Sequence, residues 1–232
     1  MPNNIIMADQ KGGDELLIKR ITNTLESYTI PDSVTELAPL AFCCSSALKS
    51  VVFPANITLS KTISGNDGRT FYQSGISIAH LHSVTVNGDG HFRECSSLET
   101  FVAENITLGN RYFYFLYSCP NLARIDLNIS KIDSDMFKND GKLSTIILRK
   151  ADSLPTCAAT SFDNTPFKNG GTGGTIYIPK ALYDHLGDGT SLDYKAASGW
   201  STLDGYGTIT WTQIEGSIYE TQYADGTPIP SA

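Results

Sequence analysis

The sequence predicts an elongated, right-handed parallel β-solenoid of about five to six coils, with irregular or short helical connections and a cap at each end. Three observations predict it. The 232 residues are 41% hydrophobic and 18% charged, so the chain can bury a substantial core. One apolar spacing recurs: Leu48, Val51, Phe53; Leu81, Val84, Val86; Leu98, Phe101, Ala103; Leu122, Ile125, Leu127; and Leu143, Ile146, Leu148. An aromatic or leucine stands six residues before most anchors, at Phe42, Phe92, Leu116 and Phe137.

The spacing has a physical cause. Its last three positions alternate as a strand does, two side chains in and one out. A single coil cannot cover its own apolar face, and stacked coils bury it against each other. The anchoring leucines advance by 33, 17, 24 and 21 residues, which makes the array irregular.

Along the chain, residues 1–13 are polar and predict a mobile start. Residues 14–30 read as an entry cap, residues 31–179 as the repeats and residues 180–219 as the exit cap. KTISGNDGRTFYQSGISIA lengthens the second coil and VNGDGHF shortens the next link, so both predict outward loops. In the exit cap, residues 180–186 and 194–199 predict short helices, Trp200 packs over the last coil, and GTITWTQIEG alternates as one more strand. The Pro/Gly-containing segment 220–232 predicts a loose tail.

FRECSSLETF raises the question of chemistry at Cys95. Cys95 and Cys119 both lie three residues before an anchoring leucine, where other coils place Ser45 and Asp140. Recurrence at one repeat phase marks a packing slot, and free cysteine packs as a small hydrophobe. No nucleophile, base and orienting group assemble elsewhere, so the reading is non-enzymatic.

A net charge of −7, with no basic cluster longer than Lys19-Arg20, argues against the clustered basic surface that nucleic acid requires. No apolar run approaches the ~18 residues of a membrane span. MPNNIIMADQKGGDELL carries no secretory pattern, so the expectation is a cytoplasmic product with reduced cysteines.

YTIPDSVTELAPLAF, FRECSSLETF and YSCPNLARIDL resemble the BspA-like leucine-rich repeats. LSTIILRKADSLPTCAATSFDNTPFKNGGTGGTIYIPKALYDHL, with YKAASGWSTL and IEGSIYE, resembles the ending of short, signal-less members encoded in bacterial prophages. The resemblance implies a virion or tail-associated protein that contacts another protein or a bacterial surface glycan, as a monomer or a homo-oligomer. A cell-surface adhesin and a purely structural particle component are its alternatives.

Candidate binding residues follow from the strand register. The outward column reads Val52, Thr85, Val102, Asp126, Ile147 and Tyr177, with Arg124 in the hydroxyl-rich column two residues earlier. It is more apolar than a solvated sheet face requires. RYFYFLY adds an aromatic patch of Tyr112, Tyr114 and Tyr117. In AHLHSVTV, His80 and His82 share a strand face and are the metal candidates, with His91 and Cys95 downstream. Leu81 between them anchors inward, so both histidines face solvent while Cys95 faces in. The set does not close, and no metal or other cofactor is expected. The Gly-rich NGDG and GGTGG lack a following Lys-Ser or Lys-Thr and read as turns. The asparagines of Asn56-Ile-Thr, Asn105-Ile-Thr and Asn128-Ile-Ser read as repeated turn residues.

Overall fold

The computed structural model describes residues 8–10, 16–18, 24–62, 65–109, 112–168, 171–204 and 209–230. In chain order the strands are β1 (Ala8–Gln10), β2 (Leu16–Ile18), β3 (Ser27–Thr29), β4 (Glu36–Leu37), β5 (Ser50–Val52), β6 (Asn56–Leu59) and β7 (Ile78–Val86). They continue as β8 (Thr100–Leu108), β9 (Arg124–Leu127), β10 (Lys131–Ile132), β11 (Thr145–Leu148), β12 (Thr156–Cys157), β13 (Gly174–Ile178) and β14 (Ile209–Gln213). All pairings are parallel except β1 with β2, as a solenoid of about five turns requires.

Each coil has three sides. The first is the ladder β3–β5–β7–β8–β9–β11–β13–β14. The second joins β2, β4, β6 and the far halves of β7 and β8, and β10 with β12 continues this role as a separate pair. The third is a turn whose backbone donates to the next coil, as in Phe42 N–H to Thr70 O, Phe71 N–H to His91 O and Phe92 N–H to Phe115 O. Backbone groups are thereby satisfied from coil to coil.

The inward column of the first side carries Phe101, Ile125 and Ile146, all fully buried. At the turn, Phe42, Phe71 and Phe92 stack with centroids 4.7 and 4.8 Å apart, and Phe137 stacks on Phe162 at 5.2 Å. Each such pair contributes about 0.5–1.5 kcal/mol beyond its buried area. Two residues before and two after the ring, or before and after Leu116 in its coil, the backbone turns left-handed: Leu40 and Cys44, Arg69 and Gln73, Tyr114 and Ser118, Asp135 and Asn139. Gly90 takes the first of these positions in its coil, at φ 69°, where a side chain costs energy. NGDG is thus a turn, as the sequence predicts.

The slot expected for Cys95 is present. Cys95 and Cys119 are fully buried, and their thiols donate to the carbonyls of Phe71 (2.9 Å) and Phe92 (3.1 Å). Burial pushes the Cys95 thiol up to about 12, which leaves it protonated and unreactive.

Several expectations change. In the second coil the first-side strand is Ile78–Leu81, with Ala79 opposite Phe101 and His80 opposite Val102. Thr85 instead pairs Thr58 and Thr107 on the second side, so it leaves the outward column. The reason is local: Ile78–Val86 forms one nine-residue strand that buries Ala79 and Leu81, shifts phase at His82–Ser83 and then buries Val84 and Val86, so its second half fits the repeat spacing as well as its first. Asn56 and Asn105 stand on strands, in register with Ser83, and are not turn residues. In the exit cap the helices are α1 (Lys180–Tyr183) and α2 (Ser201–Asp204), while 194–199 forms turns. Trp200 is fully buried, packs on Phe162 and Tyr194, and donates its indole N–H to Pro155 O at 2.7 Å. Part of the start expected to be mobile, Ala8–Gln10, pairs antiparallel with Leu16–Ile18, and residues 1–7 and 11–13 lie outside the described residues.

The largest change concerns the tail. Residues 218–230 fold back over the outer face of the first side. Tyr219, Tyr223 and Ala224 are buried against Val102, Ile147 and Ile214. The apolar outward column buries itself against the chain's own C-terminal segment, so a loose tail would have left this patch uncovered.

Candidate functional site

The outward column now divides by position. Val52, at the edge of the covered region, is 59% exposed. Val102, Asp126 and Ile147 are buried beneath the C-terminal segment, and Tyr177 is half-buried against Tyr219 at 4.7 Å. Arg124 remains exposed, its guanidinium reaching Thr100 Oγ1 at 3.3 Å. The column is therefore an internal docking face along its middle and not a free contact surface.

What fixes the segment is one buried ion pair. Arg149 meets Asp126 through two bonds of 2.6 Å, and its remaining N–H groups reach the carbonyls of Tyr219 (3.0 Å) and Gln222 (3.1 Å). Its guanidinium lies 4.9 Å from the Tyr223 ring centroid. Ala224 N–H donates to the second carboxylate oxygen of Asp126 at 2.9 Å. Burial pushes the Asp126 carboxyl up, against the pull of Arg149. A planar fork with five donors can serve a carboxylate and two carbonyls at once, which a lysine cannot.

The aromatic run also divides. Tyr112 is buried, with the Lys131 ammonium 5.6 Å from its ring, and so leaves the expected patch. Tyr114 and Tyr117 stay at the surface, edge to face at 5.3 Å. Both surround Arg93, whose guanidinium lies 5.7 and 5.2 Å from their centroids. Tyr72, from the second coil, closes the group at 6.0 Å and donates its hydroxyl to Glu94 at 2.9 Å. Sequence reading missed Tyr72 and Arg93, because they lie in different coils from RYFYFLY and meet it only through stacking. Beside the patch, Asp67, Arg69, Asp89, Gly90, Arg93 and Tyr114 line a cleft of about 100 Å³.

The histidines part company. His91 is fully buried: its Nε2–H donates to Asn87 O (3.0 Å), so Nδ1 accepts from Thr70 Oγ1 (2.9 Å). Burial drives its pKa down to about 4, which keeps it neutral and structural. His82 faces solvent as expected, while His80 is on the same outer face but covered by Tyr223 and Asp225 of the C-terminal segment, and both meet Glu104 on the neighbouring strand. Glu104 escaped notice because the second coil's register slip hid its position beside them.

A stacked parallel ladder with recurring inward leucines and a rigid outer face defines the class: a leucine-rich-repeat solenoid. The family model for the BspA-type leucine-rich repeat region matches residues 20–141 and 66–176, in six copies, and the chain belongs to that family. Its repeats suggest a protein-binding or structural role. A leucine-rich repeat protein from Bacteroides ovatus is similar in structure, at 14% identity and a TM-score of 0.35. The match covers 85% of this chain and 63% of that one. No curated protein matches. Among the described residues, no helix is long and apolar enough to cross a membrane.

Proposed function

We propose that the chain is a non-enzymatic binding protein whose working surface is the tyrosine–arginine patch of Tyr72, Arg93, Tyr114 and Tyr117. Its partner is a protein surface or a bacterial surface glycan, met as a component of a phage or prophage particle. The observation that carries this reading is three phenol rings from adjacent turns gathered within 6.0 Å of one guanidinium. Tyrosine and arginine dominate the energetics of protein interfaces, and a flat ring loses little freedom on binding. The turns that present them are bonded to their neighbours on both sides, so the surface is held before a partner arrives. The particle setting is supported by the resemblance of the C-terminal third to prophage-encoded members.

The test compares the chain with a Tyr114→Ala/Tyr117→Ala variant on purified host envelopes, purified particle proteins and a glycan array. The expected result is saturable binding by the parent and at least a tenfold loss in the variant, with unchanged circular dichroism. Binding that survives the double substitution, or a parent that binds none of the three, rejects the reading.

A further inference from the structure

His80 sits between two carboxylates. Its Nδ1 lies 2.8 Å from Asp225 of the C-terminal segment and its Nε2 lies 2.9 Å from Glu104 Oε1. His82 Nδ1 points at the same Glu104 oxygen, at 2.8 Å. A carboxylate oxygen only accepts, so the Asp225 contact makes His80 Nδ1 the N–H of the ring. The Nε2 contact with Glu104 then requires a positive centre between the two atoms, either a second ring proton or a metal ion, and a metal ion makes the ring a ligand oriented by an acidic partner on its far side.

We propose that His80, His82 and Glu104 bind a divalent transition-metal ion of the zinc class, with Asp225 orienting His80 from behind. Two imidazole nitrogens and one carboxylate oxygen suit zinc or nickel, and three protein ligands leave a fourth position open. The three ligand atoms lie within 4.8 Å of one another. Around a tetrahedral ion with bonds near 2.0–2.1 Å they stand about 3.3 Å apart, so the two contacts with Glu104, at 2.9 and 2.8 Å, open by a few tenths of an ångström on loading. His82, 48% exposed, can make that adjustment, while His80 (14%) and Asp225 (7%) are held. The dication also offsets the two carboxylates gathered there. Because Asp225 belongs to the covering segment, metal binding fastens that segment to the sheet. The inference stands apart from the tyrosine patch, which shares none of these residues.

The experiment uses the tag-free full chain, stripped with chelator, titrated with zinc chloride by calorimetry and checked by elemental analysis. One zinc per chain is expected. His82→Ala and Glu104→Gln should each weaken binding at least 100-fold, and Asp225→Asn by about 10–100-fold, the usual effect of losing an orienting partner. Cobalt should give a visible spectrum without a thiolate charge-transfer band, and zinc should slow proteolysis within residues 218–230. A folded parent without stoichiometric zinc overturns the proposal. So does binding that survives His82→Ala and Glu104→Gln but vanishes in Cys43→Ser/Cys44→Ser, since the adjacent thiols, 3.0 Å apart, would then be the site.

Discussion

Ser45, Ser74, Cys95, Cys119, Asp140 and Thr165 each lie three residues after the ring or leucine of their turn, and each is buried. The slot takes a small side chain: the Cys95 and Cys119 thiols reach a carbonyl of the coil before, while Thr165 Oγ1 donates to Phe162 O of its own turn. Asp140 is the costly member. Its Oδ1 accepts the Cys119 N–H at 2.7 Å, while Oδ2 is buried without a partner. Burial holds its carboxyl well above the usual range, so it stays protonated in the fold while the unfolded chain ionises. The stability it contributes is complete below the unfolded value of 3.8 and is lost as pH rises above it. Asp140→Asn keeps the Oδ1 acceptor and removes the ionisation. Thermal melts should show the variant gaining on the parent between pH 3.5 and pH 7, by about 1.4 kcal/mol for each unit by which burial raises the Asp140 pKa within that window. A variant that gains nothing on its parent across that window would contradict this account.

At the scale of elements, the C-terminal segment behaves as a strap across the sheet. Removing one partner of a buried ion pair costs about 3–5 kcal/mol, because the other charge stays buried. In Arg149→Ala the chain can escape that cost by releasing the strap, which rehydrates Asp126 and leaves the coils intact. The variant should therefore gain protease cleavage between residues 218 and 230 while its main thermal transition moves little. Arg149→Lys should be nearly as sensitive, since an ammonium cannot replace the fork. Equal protection in parent and Arg149→Ala would mean that Tyr219 and Tyr223 hold the strap by packing alone.

The whole molecule is a stack in which each coil is covered by its neighbours, so the ends set how far fraying runs. Trp200, with Tyr194 and Trp211 against it at 5.0 and 6.4 Å, covers the last coil. Trp200→Ala should cost about 3–5 kcal/mol, as large aromatic deletions in cores do. The loss should be graded: hydrogen exchange ought to accelerate most in β13 and β11 and least in β5 to β8. A uniform acceleration would show one cooperative unit instead of a stack.

The sequence by itself determined the coil. The inward triplets, the aromatic of each turn, the cysteine slot and the Trp200 cap repeat or sit at one phase, and every coil faces the same burial problem. Only the tertiary structure decided three further points. The two halves of β7, Ala79–Leu81 and Val84–Val86, both fit the repeat spacing, and pairing with β8 chose between them. The outward column became a covered face because Ala224 and Asp126 meet across 98 residues. His80 gained its carboxylate partner from Asp225, 145 residues away. Contacts at such separations leave no periodic trace, since they are set by where a folded strap happens to cross a folded sheet.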